Sequence, residues 1–212
     1  KESSAASDVY KRQALSELKM LDKRIKRAVN ESTFGGLMIG KKLPNGFRTT
    51  EDLETRVKAD YQSIEALIKR RNAIKSAIVV SNATTKIEVA GVKMTVAEAI
   101  ERKTSISYDI QLLDKLKEVY ADLVDEAESV NQKVTERLDK HLETLFGKDG
   151  KVKAAENQEI VKSFLAENEA KIIDPLNLKE KIDSLSKKIE DFEMEVDFAL
   201  SESNTLTKIK ID

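Results

Sequence analysis

The chain has 212 residues, a net charge of −1, 40% hydrophobic residues, 35% charged residues and only 5% aromatic residues, with no Trp. With just 7 Gly and 2 Pro, this profile excludes a compact aromatic-rich core and suits long helices that each bury one stripe and solvate the rest. The absence of Cys excludes disulfides, thiolate metal sites and cysteine nucleophiles, and no apolar run approaches the ~20 residues of a membrane-spanning helix.

Residues 2–13, ESSAASDVYKRQ, carry no helical stripe and are read as a non-native N-terminal extension (1–13), with a lengthened first helix as the alternative. Residues 14–212 are then expected to form a single helical domain. The first helix is predicted from Ala14 to Glu31, where Leu15, Leu18, Leu21, Ile25 and Val29 recur at spacings of three and four. Lys19, Lys23, Arg24, Lys26 and Arg27 cover much of its other surface.

A loop, STFGGLMIGKKLPNGFRTT (Ser32–Thr50), follows with four of the seven glycines, three basic side chains and no acid. Pro44-Asn45-Gly46 is strong turn chemistry, and Leu37, Met38 and Ile39 are predicted to face Phe47 across a short hairpin. Thr49, with Asp52 three residues on, is an N-cap signal for a second helix reaching Val80, its stripe made by Leu53, Val57, Tyr61, Ile64, Ile68, Ile74 and Ile78. Alternation about Ala90-Gly91 predicts a β-hairpin over residues 86–94.

Thr95 to Glu98 reads as a capping box that opens the longest pattern in the chain. Leu113, Leu116, Tyr120, Leu123, Ala127, Val130 and Val134 keep a heptad spacing, and Leu138, Leu142 and Leu145 continue it after a stutter, with a break near Glu128–Asn131 as a variant. A helical insertion is predicted at 147–174: a GKDG turn at Gly147–Gly150, then a short helix from Ala154 to Ala170. Asp174-Pro175 reads as an N-cap followed by Pro at the first helical position, opening a last helix with Leu178, Ile182, Leu185, Ile189, Phe192, Val196 and Ala199 at a/d spacing. The tail Thr205–Ile211 alternates like a strand and is predicted to join the hairpin, within the subunit or across to another. The expected fold class is therefore mainly α: an antiparallel bundle or coiled coil of long helices with a small β-hairpin.

Residues 14–94 carry 16 Lys and Arg against 9 Asp and Glu, while residues 95–212 carry 18 against 27. The two halves are suited to attract each other within or between subunits, and a homo-oligomer is expected. The chemistry inventory is sparse. One histidine, His141, sits on a coiled-coil stripe, and there is no GxSxG, Walker A or HExxH pattern. Acids such as Glu190 and Asp191 fall at solvated helical spacings. The reading is a non-enzyme without cofactor or metal. Nucleic acid is not an expected partner, since no aromatics interleave the basic residues; membrane is not expected either, since the basic first helix lacks Trp or Phe.

The candidate ligand site combines the loop with the second helix. Gly35, Gly36 and Gly40 permit close backbone approach, consecutive loop amides can form an anion-binding concavity, and Lys41, Lys42 and Arg48 add charge. Arg70, Arg71 and Lys75 are candidate companions; Arg71 falls on the apolar stripe and must find an anion, either an acid of the chain or a ligand phosphate. The competing reading makes the loop a subunit interface and pairs Arg71 with a Glu.

Lys69–Lys103, KRRNAIKSAIVVSNATTKIEVAGVKMTVAEAIERK, resembles the septicolysin-like family of small bacterial helical proteins through Arg71, Asn72, Asn82, Ala83, Thr84, Thr95 and Glu98. The resemblance covers about a third of the chain and implies a helical oligomer; the glycine loop and the 149–174 segment depart from it. The chain also resembles coil-containing hypothetical proteins of phage genomes, and SSAASDVYKRQ resembles a translated sequencing-adapter artefact found at the ends of metagenomic predictions. These resemblances lead to the expectation of a phage-encoded, non-enzymatic oligomer in the (host) cytoplasm. It would sequester a small phosphate-bearing ligand, such as a nucleotide-derived immune signal, through the basic loop. The alternative is a structural or adaptor coiled-coil protein, a virion component or assembly scaffold, with a protein partner.

Overall fold

The computed structural model describes residues 7–44, 46–147 and 158–211. In chain order the elements are β1 (Ser7–Tyr10), α1 (Lys11–Glu31), α2 (Thr50–Thr84), β2 (Lys86–Val89), β3 (Val92–Thr95), α3 (Val96–Phe146), α4 (Gln158–Asn168), α5 (Leu178–Leu206) and β4 (Lys208–Ile211). The protein is mainly α with a small hairpin. The described residues divide into two compact units, one holding those up to Thr104 together with those from Phe192 onward, the other those from Ser105 to Asp191.

In the first unit α1 and α2 form a helical hairpin. Its core is Ala14, Leu21, Ile74 and Ile78, closed by Ile209 and Ile211 of β4. Thr49 caps α2 by accepting the Asp52 amide at 3.1 Å, as its spacing predicts. Helix α2 runs four residues past Val80, to Thr84. Its buried face is Leu53, Ile64, Ile74, Ile78 and Ser81, whereas Tyr61 and Ile68 of the predicted stripe are 55% and 40% exposed. At 3.6 residues per turn Tyr61 and Ile68 lie about 60–80° round the helix from Leu53, while Ile74 and Ile78 lie on the other side of it, so the face turned to the core is offset from the predicted stripe.

β2 and β3 pair in the predicted register, Lys86 with Thr95 and Val89 with Val92, around Ala90 (φ 51°) and Gly91 (φ 73°). Positive φ at both central residues is the twist that suits a two-residue hairpin. The capping box forms in full: the Glu98 amide donates to Thr95 Oγ1 at 3.1 Å, and the Thr95 amide donates to Glu98 Oε2 at 2.6 Å. Hydrogen bonding from the Thr95 amide, and then from its hydroxyl, holds the Glu98 carboxyl below its ordinary range. The β2–β3 turn and the start of α3 are tied to the C-terminal half of α5 by Ala90 N–H to Glu195 (2.6 Å), Lys103 to Asp197 (2.5 Å) and the Arg102 guanidinium 5.7 Å above the Phe192 ring.

Within the chain the tail strand does not join the hairpin. β4 pairs antiparallel with β1, Val9 opposite Ile209 and Asp8 opposite Lys210, and the β2–β3 pair stays two-stranded. Residues 7–13, which the sequence places outside the domain, thus enter the fold and begin α1 at Lys11, three residues ahead of Ala14. The alternation of the tail specifies a strand with Ile209 and Ile211 inward but carries no information on its partner. Lys11 is buried, its Nζ has no hydrogen-bond partner among the described residues, and desolvation pushes its pKa down.

In the second unit α3 continues without a break at Glu128–Asn131, burying Leu113, Val134, Leu138 and Leu142. Asn131 clamps the backbone of Ala170 in both directions, donating to its carbonyl (3.0 Å) and accepting from its amide (2.8 Å). His141 stacks on Phe164 of α4, ring centroids 5.5 Å apart. The GKDG turn after Gly147, and residues 154–157 of the predicted short helix, lie outside the described residues. Asp174-Pro175 forms a turn, not a helix start. The Asp174 carboxylate accepts from Leu176 (3.2 Å) and Leu178 (2.7 Å), Asn177 takes φ 54°, and α5 begins only at Leu178.

Candidate functional site

The loop between α1 and α2 is anchored at its base and exposed at its tip. Thr33 N–H donates to Asp60 Oδ2 at 3.0 Å, and Arg56 holds the same carboxylate at 3.0 Å. Gly36 lies against α2: an added Cβ would sit 2.7 Å from Pro44 Cγ and 2.9 Å from Leu53 Cδ2, so only glycine fits there. Gly35 has open space around it, and Gly40 takes φ 63° in a two-residue turn. The hairpin expected between Leu37–Ile39 and Phe47 is replaced by that turn: Ile39 and Lys42 exchange backbone hydrogen bonds of 3.0 Å, while the Phe47 amide turns back to Pro44.

Lys41, Lys42 and Arg48 are exposed. They share the tip with Leu37, Met38 and Ile39, which are 77%, 53% and 73% exposed, and with half-exposed Phe34. The loop surface is therefore apolar and cationic together, a combination its glycine and lysine content alone does not announce.

Arg70 and Arg71 do not converge on the loop. Arg70 pairs with Glu17 through two bonds (3.0 and 3.4 Å), and Arg71 pairs with Asp22 at 2.7 Å. Both acids belong to α1, so the anion that Arg71 requires comes from the basic half of the chain itself. Gly36 packs at Leu53 and Thr33 at Asp60, whereas Arg70 lies 17 residues beyond Leu53, about 25 Å along the helix axis at 1.5 Å per residue. Lys75 lies farther still and is exposed. Within one chain the loop and the second-helix cations thus stay apart: the glycines and lysines form one feature, and the arginines form a helix–helix brace.

Three of the grooves on the described surface are well defined, and none of the three is lined by a residue of the α1–α2 loop. One of about 310 Å³ lies between α3 and residues 170–173, lined by Leu123, Ala127, Val130 and Ile173. A second of about 310 Å³ brings Arg12, Ser16 and Lys19 of α1 beside Ser201 and Asn204 of α5. A third, about 480 Å³, runs between α2 and β4, with Ser76, Ser81, Thr84 and Thr207 along it and Lys208 and Lys210 at its wall. Sequence reasoning missed this groove and the anchoring role of Asp60. The Lys-Ile-Lys-Ile alternation was the available signal for the first; nothing local marks the second. Among the described residues no group of three or more His, Asp or Glu is placed to hold a metal ion, and no helix is long and apolar enough to cross a membrane. Comparison with family models, with curated proteins and with solved structures finds no match to this chain.

Proposed function

We propose that this chain is a non-enzymatic structural or adaptor protein that docks a protein partner through the tip of its α1–α2 loop. The observation that carries the reading is the exposure of Leu37, Met38 and Ile39 beside Lys41 and Lys42, on a loop whose base is pinned by Asp60 and Gly36. A pinned loop that holds a contiguous apolar surface in water fits a macromolecular contact, with the cations selecting an acidic rim. Exposed Tyr108, Met194 and Phe198 on the long helices support self-association as part of the same role. A photo-crosslinking residue at Met38, followed by native mass spectrometry, tests this. The expected result is a discrete protein adduct that Leu37→Asp with Ile39→Asp abolishes. A monomer without adducts overturns it.

Lys41, Lys42 and Arg48, with no acid in the loop, favour a second reading in which the loop sequesters a small phosphate-bearing ligand. Isothermal titration against cyclic dinucleotides and ADP-ribose derivatives separates the two. Binding lost in Lys41→Ala/Lys42→Ala but retained in Leu37→Asp/Ile39→Asp supports the small ligand.

A further inference from the structure

β4 has one edge on β1 and another along the groove between it and α2. In the β1–β4 ladder the Lys11 amide donates to the Thr207 carbonyl, and the register continues as Val9 with Ile209 and Ser7 with Ile211. Antiparallel pairing alternates, so the hydrogen-bonding groups of Ile209 and Ile211 face β1, and those of Lys208 and Lys210 face the other edge. No strand pairs with that edge among the described residues. It opens on a groove whose floor is one face of α2: Ala73, Ser76, Ala77, Val80 and Thr84, residues small enough to let another backbone approach. A two-stranded sheet is marginal by itself, and a third strand adds main-chain hydrogen bonds.

The side chains define the guest. Lys208 and Lys210 are exposed, and among the described residues no carboxylate lines the groove; the Lys208 ammonium lies 5.1 Å over the Tyr10 ring, on the ladder side. A second copy of β4 would set lysine against lysine across the new ladder, which is unfavourable for directly opposed like charges. An acidic strand would set carboxylates there instead.

We propose that the free edge of β4 is a strand-addition site for an extended acidic segment of a partner protein. This surface is distinct from the loop tip, and the inference stands whether or not the loop docks a partner. The site supplies two amides and two carbonyls from Lys208 and Lys210, a small-residue floor from α2, and two ammonium groups for alternate acidic side chains.

The test uses the full chain and a fluorescein-labelled eight-residue peptide alternating glutamate and valine, read by anisotropy. The expected result is saturable binding, with slowed hydrogen exchange at the Lys208 and Lys210 amides and not at Ile209. Lys208→Glu with Lys210→Glu should weaken binding at least about tenfold, the loss of two charge-assisted contacts. Lys210→Pro, which deletes one outward amide and leaves the β1 ladder intact, should weaken it similarly if its melting curve is unchanged; the double glutamate variant decides the matter if it is not. Three results would each overturn the proposal: no binding, equal binding of a fully N-methylated peptide, or protection of Lys208 and Lys210 by self-association of the protein alone.

Discussion

Replacing Gly36 by alanine separates a packing glycine from a ligand-cradling one. The new methyl would meet Pro44 Cγ at 2.7 Å and Leu53 Cδ2 at 2.9 Å. Carbon atoms rest at about 3.5–4.0 Å, so both neighbours must retreat by the better part of an ångström. Leu53 is buried, and overpacking of this kind costs about 1–3 kcal/mol. For a chain of this size each kcal/mol moves Tm by about 2–4 °C, which sets the drop at roughly 2–12 °C. Gly35→Ala is the internal control: with nothing within 4 Å of its Cβ, it should stay within about 0.5 kcal/mol of the parent. A Leu53→Ala background removes the Leu53 part of the clash and leaves the Pro44 contact, so Gly36→Ala should cost less there, with a coupling of at least about 0.5 kcal/mol. Thermal and urea unfolding of the four variants measure all of this. Equal effects at Gly35 and Gly36, or strict additivity with Leu53→Ala, would refute the packing argument.

Lys11→Met should raise stability by about 1–3 kcal/mol, because it replaces an unpaired buried ammonium with an apolar side chain of similar length. The folded-state pKa of Lys11 lies below the unfolded value of 10.5, so the unfolded chain binds more protons between the two. Parent stability should then rise with pH as it approaches 10.5 from below, and urea midpoints of Lys11→Met should lose that slope. Asp60→Ala removes the acceptor for Thr33 N–H, and trypsin should then cut faster after Lys41, Lys42 and Arg48 while the Arg70–Glu17 brace holds. Thr95→Ala, which deletes the cap of α3, should cost about 1 kcal/mol in equilibrium unfolding. The Glu98 carboxyl is held below its ordinary range, so its contribution is present above the unfolded-state pKa and fades as pH falls through the folded one; Glu98→Gln should flatten the acid limb of the stability profile.

The elements legible in the sequence are those decided within a few residues. The capping box at Thr95–Glu98, the N-cap at Thr49 and the hairpin turn at Ala90-Gly91 stand where local chemistry places them. The bonding atoms lie on neighbouring residues, so spacing alone specifies them. What was not legible depends on distant partners. A cation at Arg71 on an apolar stripe demands an anion, but the demand is met equally by any acid that tertiary structure delivers, and α1 delivers Asp22. The tail's period of two states which side chains face inward and is silent on which strand lies alongside. At Asp174 two local motifs compete for the same carboxylate, and the turn that satisfies Leu176 and Leu178 together displaces the helix start. The candidate site was half legible: glycine and lysine content identified an unusual loop, yet the outward Leu37 and Ile39 follow from how short its turn is, which composition does not specify.

The core of the α1–α2 hairpin is completed by Ile209 and Ile211, contributed from far downstream. During synthesis α1 and α2 are therefore made long before the residues that seal them, and their apolar faces wait uncovered while α3, α4 and α5 are still being translated. Domains that fold on the ribosome from the N-terminus onward gain protection early. Here protection comes late, so the nascent hairpin is the stage at which a chaperone or a co-assembling copy has most to offer, and stalling translation before Lys208 should leave a product that aggregates.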